Sequence, residues 1–367
     1  MLKYLHRTSI ILLISTAAGV LPAPGSTVLP PKPHRVASFE FDGSIGRVGI
    51  NHAMGVLFVT TVTYPEKGRR KDELHVFDLG SNTRLFGTSI SNFVAAALAP
   101  HGKFLVAGCE AALCLIDTIQ GDIQKKIQLS QPGSSRSPTV LSVAVSPNGR
   151  LVAAAAAAAS GSTRHEILLW DTHANSLDRW EAISASDRLK ETFTLRFHGS
   201  PPWIPRWVGF SADGALIASV RDDGTVAVWD LEGHMKRTRR LQGSGRGRLE
   251  PVFTADGRLL ALQEEGNILH IVDINSGLTI LSSEVRAPLQ TIRKARLLGP
   301  REGAYLAVAE QAGLALIDID TKKVMARLDF DKPIWEVAIS EDRAVLALAA
   351  QHQVSVWRMR LPVGSSE

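Results

Sequence analysis

The chain has 367 residues, of which 45% are hydrophobic and 21% charged, and its formal net charge is +5. Such a composition belongs to a folded chain rather than a disordered one, and the basic excess is too thin for a dedicated nucleic-acid binder. The length is large for one ordinary core, which points to an array whose units each pack on the next.

The N-terminus reads as a leader. Lys3, His6 and Arg7 precede an apolar run from Ser9 to Leu21, and Ala17, Ala18 and Gly19 supply the small residues of a cleavage site. The run falls short of the ~20 residues that span a bilayer. We therefore assign residues 1–19 to a signal peptide and 20–34 to a Pro-rich linker, and expect an exported protein, periplasmic or secreted. A retained anchor and a buried N-terminal strand are the competing readings. No cysteine lies near the site, so lipid attachment there is excluded.

From residue 35 onward one short phrase recurs: an apolar strand, a turn, and a second strand ending on an apolar residue followed by Asp. The endings are Phe77-Asp78, Ile116-Asp117, Trp170-Asp171, Trp229-Asp230, Val272-Asp273 and Ile317-Asp318, and a seventh, Trp357-Arg358, lacks the Asp. A second marker precedes the middle strand of several units: His101-Gly102, Asn148-Gly149, Asp213-Gly214 and Asp256-Gly257. Asn-Gly and Asp-Gly favour tight hairpins because both residues tolerate positive φ. The strands that follow are rich in Val, Leu and Ala, as expected where neighbouring sheets cover both faces. The run Ala153–Ala159 fits tight packing between units.

Short strands, Gly turns and a repeat of roughly 40–45 residues resemble the WD-repeat β-propeller family. The resemblance covers about Arg35 to Met359. It implies an all-β, seven-bladed propeller of four-stranded antiparallel blades over 35–360, with a tail at 361–367. The Trp-Asp pair is literal only at Trp170-Asp171 and Trp229-Asp230, and the family's Gly-His pair is missing from nearly every unit. The resemblance implies that the repeated Asp satisfies backbone groups of its turn. The last unit runs out of chain before a fourth strand, while Arg35–Phe41 alternates like a strand ahead of the first complete unit. Joining the two completes the seventh blade and removes its open edge.

In such a blade, turns between strands one and two and between three and four share one face, and the remaining connections share the other. On this reading the second face holds the long insertions: Thr63–Asp72, Ser130–Thr139, Ala159–Arg164, and Ser184–Pro202 between blades three and four. They carry a net charge of +5, against +3 for the chain without its leader. One-sided insertions on a repeat array often mark the binding side. The candidate partner-binding residues are Tyr64, Lys67, Arg69, Arg70, Lys71, Arg136, Arg164, Arg188, Lys190, Phe193, Arg196, Phe197 and Trp203. A basic face with aromatic area attracts acidic partners. We expect a protein-interaction scaffold formed by blades one to four, its partner another protein with an acidic surface. Recognition of an anionic glycan, or a central-channel enzyme of the lactonase or quinone-cofactor type, are the alternatives. Trp207 sits in a strand-like stretch and is read as packing inside blade four. A second basic run, Lys236 to Arg248, falls on the outer strand of blade four, where cations blunt sheet-to-sheet aggregation or form an anionic binding stripe.

No compact catalytic, cofactor or metal-binding motif occurs, and the histidines are scattered. Cys109 and Cys114 sit on two arms of one hairpin. They either form a disulfide or are two small buried side chains.

Overall fold

The computed structural model describes residues 34–358 except 52, 66–69, 90–94, 110–111, 130–137, 158–165, 173–193, 197–203, 242–249, 255–256, 266–267, 285–294, 299–304, 311–312, 330–332 and 341–343. The described residues hold no helix. Their 28 strands pair antiparallel in seven sheets of four, arranged as the blades of a propeller ring.

Blade one comprises β2 (Ser44–Asn51), β3 (Val56–Thr63), β4 (Lys71–Asp78) and β5 (Thr83–Ser89). Blade two comprises β6 (Ala96–Leu98), β7 (Phe104–Cys109), β8 (Ala112–Asp117) and β9 (Ile123–Gln128). Blade three follows with β10 (Thr139–Val145), β11 (Leu151–Ala157), β12 (Glu166–Asp171) and the three-residue β13 (Thr194–Arg196). Blade four is β14 (Pro205–Phe210), β15 (Leu216–Arg221), β16 (Thr225–Asp230) and β17 (Met235–Arg240). Blade five is β18 (Glu250–Phe253), β19 (Leu259–Glu265), β20 (Ile268–Asp273) and β21 (Thr279–Glu284). Blade six is β22 (Ala295–Leu298), β23 (Tyr305–Glu310), β24 (Gly313–Asp318) and β25 (Val324–Asp329). Blade seven takes β26 (Glu336–Ile339), β27 (Val345–Ala350) and β28 (Gln353–Arg358) from the end of the chain and β1 (His34–Glu40) from its beginning.

The middle strands are buried on both faces, and alternation along each one divides its side chains between two neighbours. In β11, Val152 and Ala154 face blade two beside Val106 and Leu113. Ala153 and Ala155 face blade four beside Val208, Ile217 and Trp229. The alanine run therefore serves two interfaces at once. At the blade two–three seam the approach is closer still: a Cβ on Gly108 would fall 2.7 Å from the Cβ of Val140.

The repeated Asp caps its turn in most blades. Asp78 Oδ1 accepts the amides of Gly80 and Ser81, Asp117 those of Ile119 and Gln120, and Asp273 those of Asn275 and Ser276. Asp318 and Asp230 accept the amides of Thr321 and His234. Asp171 Oδ2 accepts from Arg150 Nε at 2.8 Å and Nη2 at 2.6 Å. The turns between strands one and two differ from the expected tight hairpins. Only the glycine adopts positive φ, 71° at Gly149 and 73° at Gly214. The preceding Asn148 and Asp213 accept the backbone N–H groups of Arg150 and Ala215 through their side chains.

Cys109 and Cys114 form a disulfide with a Cα–Cα distance of 6.1 Å. In register Cys109 faces Ala112 and Cys114 faces Ala107, so the bridge runs diagonally across the hairpin. Both sulfurs lie in the apolar seam between blades one and two.

β1 pairs with β28 from His34↔Arg358 to Glu40↔Gln353, with a bulge between Arg35 and Ala37. Phe41 N–H donates to His352 O at 2.8 Å, and His352 Nδ1 lies 2.9 Å from Gly43 O. Phe39 and Phe41 pack on Phe77 of blade one at ring distances of 4.2 and 5.8 Å, the second pair edge to face. His75 lies in the same seam, 5.1 Å from the Phe41 ring, buried, with Nε2 3.0 Å from Thr61 Oγ1 and no partner at Nδ1. Arg84 fills the space that a side chain on Gly87, the residue opposite His75, would need. Burial first, then Arg84 and Lys71 against the opposing effect of Glu73, lower the His75 pKa to about 4.

Two outcomes follow from this seam. Phe39→Ala and Phe41→Ala should each cost about 2–3 kcal/mol in denaturant unfolding, somewhat below a fully buried Phe, and deletion of 35–42 should destabilise the whole ring. Unchanged unfolding of the deletion would reject the clasp. Between pH 6.5 and 4 the unfolded chain binds a proton at His75 that the folded chain refuses. Stability is therefore full above pH 6.5 and falls as pH drops toward 4. His75→Phe should flatten that part of the pH–stability curve, and parallel curves for the two proteins would contradict it.

Candidate interaction face

The strand order gives the ring two unlike sides. One carries the turns between strands one and two and between three and four, which run four to six residues in every blade except for 172–193. The other carries the remaining connections. There 64–70, 90–95, 129–138, 158–165, 197–204, 241–249, 285–294 and 330–335 run six to ten residues. Two expectations change. The long connections occur around the ring and are not confined to blades one to four. The insertion assigned to the junction of blades three and four is divided by β13, which pairs with Glu166–Leu168. Arg188, Lys190 and Phe193 therefore belong to the connection between β12 and β13, which begins and ends on the short-turn side. Arg196 ends β13 on the long-connection side, and Phe197 and Trp203 follow it.

Of the candidate residues, Lys67, Arg69, Arg136, Arg164, Arg188, Lys190, Phe193, Phe197 and Trp203 lie outside the described residues, as does the side chain of Arg196. Tyr64, Arg70 and Lys71 are described, and they flank one connection, that between the two eight-residue strands β3 and β4. Tyr64 is 71% exposed. Arg70 Nε lies 2.9 Å from Asp72 Oδ1, and Lys71 Nζ lies 2.9 Å from Glu73 Oε1. The Asp72 carboxylate is buried, so Arg70 braces it as well as offering charge to solvent. A second exposed aromatic, Trp335 at 49%, enters blade seven on the same side, its backbone N–H donating to Ala349 O. Trp335 directly precedes β26, which starts at Glu336.

Trp207 packs against the core between blades four and five and covers Gly209. The run Lys236–Arg240 lies on β17, the outer strand of blade four, as expected.

Little described here suits acid–base chemistry. His101 Nε2 lies 3.1 Å from Asn148 O and ties the turn of blade two to that of blade three. Asp230, Glu232 and His234 gather their ligand atoms within 4.8 Å, but Lys236 Nζ sits 2.6 Å from Asp230 Oδ2 and holds that carboxyl well below the usual range. The ammonium already occupies the position a cation would take. The inner strands carry Arg47, Arg206, Arg296, Glu250 and Glu336 as their only ionisable side chains.

The family model of the WD domain, G-beta repeat, matches residues 125–171 and 189–230. The first match starts within the outer strand of blade two and the second just before that of blade three, and each ends on the literal Trp-Asp pair of the following blade. In the second, Trp229 Nε1 donates to Ser219 Oγ at 3.2 Å, a buried bond tying the third strand to the second. Blade three has Ala154 at the position of Ser219. No curated protein sequence matches the chain. WD-repeat propellers generally serve as protein-interaction scaffolds and typically bind other proteins. With seven four-stranded blades, a repeat match ending on each Trp-Asp pair and a clasp of first strand on last, the chain is a WD-repeat-like seven-bladed β-propeller.

Proposed function

We propose that the protein is an exported scaffold that captures an acidic partner protein on its long-connection side. The observation that carries this reading is a pair of exposed aromatic side chains on that side. Tyr64 and Trp335 come from adjoining blades, and the sequence adds Lys67, Arg69, Arg136, Arg164, Phe197 and Trp203 to the same connections. Large flat rings supply contact area, and cations draw an acidic surface in and set its orientation. Arg188, Lys190 and Phe193 are left out of this surface.

Export rests on two features of different kind. The leader has the order of a signal peptide, and the Cys109–Cys114 bond suits a compartment that preserves disulfides. Between periplasm and medium the chemistry of the chain is neutral.

The test uses the full-length exported protein, crosslinked in its native setting and purified. Lys67→Glu with Arg69→Glu should cut recovery of the crosslinked partner by about tenfold, the order expected from reversing two charges that meet the partner. Arg70 is left intact because it pairs with the buried Asp72 carboxylate. Tyr64→Ala and Trp335→Ala should weaken capture without changing its salt dependence. Undiminished capture by the charge-reversed protein would refute the face assignment. Non-reducing alkylation of the unfolded mature protein should label neither cysteine, and labelling of both would remove the support that the disulfide lends to export.

A further inference from the structure

The outer strand of blade four is charged out of proportion to its neighbours. β17 reads Met-Lys-Arg-Thr-Arg-Arg, four cations in six residues with no acid among them. Elsewhere the outer strands hold far fewer. β5 has Arg84, β13 has Arg196, β25 sets Arg327 against Asp329, β1 sets Arg35 against Glu40, and β21 has no cation. In β9 the two lysines include one, Lys125, that is buried. A single charge suffices to discourage edge pairing, so protection alone does not account for β17.

The register shows how the charges are displayed. Arg237 is opposite Val228 and Arg239 opposite Val226, which places both on the flank toward blade five. Arg239 reaches the backbone at Gly277 in the adjoining turn of that blade. Arg240 is opposite Thr225, on the flank toward blade three, while Lys236 is engaged by Asp230. Among the described residues β17 pairs with β16 on one side only, so its other edge presents a row of backbone donors and acceptors. An exposed edge of this kind accepts an added strand through main-chain hydrogen bonds, with side chains giving the specificity.

We infer that β17 is a docking edge for an extended acidic segment of a partner protein, which adds to blade four as a fifth strand. A strand added antiparallel meets Arg240, Arg239 and Arg237 with residues in the order acidic–acidic–x–acidic. Added in parallel, it meets them as acidic–x–acidic–acidic. Neither pattern occurs in this chain, so the occupant is another molecule and not a second copy. A glycan or nucleic acid matches the charge but cannot use the backbone ladder, which is why an acidic peptide is the better occupant. The site is separate from the long-connection face and does not depend on it.

The test measures binding of a fluorescent peptide, Thr-Val-Glu-Glu-Val-Glu-Val-Thr, to the mature protein at low salt. Three comparisons decide it. Arg237→Glu with Arg239→Glu and Arg240→Glu should weaken binding by about tenfold or more, with the circular dichroism of the ring unchanged. The same peptide N-methylated on alternate backbone nitrogens should lose binding, since its charge is kept and its ladder is not. Lys67→Glu with Arg69→Glu should leave binding intact, which keeps this result distinct from the outcome for the other face. Equal binding of the N-methylated peptide, or preference for heparin or oligothymidylate over the peptide, would overturn the inference.

Discussion

Closure of the ring is the constraint on which the rest depends. A propeller blade is stable because it is covered on both faces, and every blade is covered only if the circle has no gap. Here the last covered edge comes from the far end of the chain. β1 completes the sheet of β26, β27 and β28, and the segment after it turns directly into blade one. The same short stretch fills the seam between blades seven and one with Phe39 and Phe41. Strand pairing and aromatic packing are thus supplied by neighbouring residues of one segment, and the seam also encloses His75, a titratable group whose burial disfavours its charged form. Ring closure is the point at which pH reaches the core.

Between blades the limiting quantity is volume. Each middle strand faces two neighbours, and the wedge between adjacent sheets narrows toward the axis. Ala153, Ala154 and Ala155 answer this in β11, and Gly108 answers it against Val140. Interiors packed at this density pass displacement on to their neighbours. The turns add a second set of ties on the short-turn side. Asn51 reaches Pro100 O, His101 reaches Asn148 O, and Arg258 meets Asp320. That side is consequently committed to holding blades together, which leaves the opposite side and the outer edges free to vary.

How much of this was legible depended on the length of each pattern. The Asp-ending strands were readable because burial on both sides imposes a long apolar run and the Asp closes a turn with fixed needs. The clasp was readable because β1 alternates over seven residues. β13 was not, since three residues carry no period, and the misplacement of Arg188, Lys190 and Phe193 followed directly. The Asn-Gly turns were located correctly, but their mechanism was shared: Gly149 takes the positive φ and Asn148 works through its side chain. The diagonal disulfide stood open because two hairpin lengths put Cys109 and Cys114 in different registers, and both registers fit the letters.

Charge counting misled more than hydrophobic patterning did. A net charge summed over a loop ignores which carboxylates sit beside the cations. Glu73 lay one residue outside the counted segment, yet it pairs with Lys71, and Asp72 holds Arg70. The display of a cation matters as much as its presence. Arg84 folds back over Gly87 and serves the His75 seam, whereas Arg237 and Arg240 stand along an open strand edge, with Arg239 between them reaching over Gly277. Two basic stretches of similar composition thus have different physical meaning. In the connection of blade one, charge is partly neutralised and its function depends on the aromatic area near it. On β17 the charge is regularly spaced by the pleat, and regular spacing is what allows an edge to discriminate one extended sequence from another.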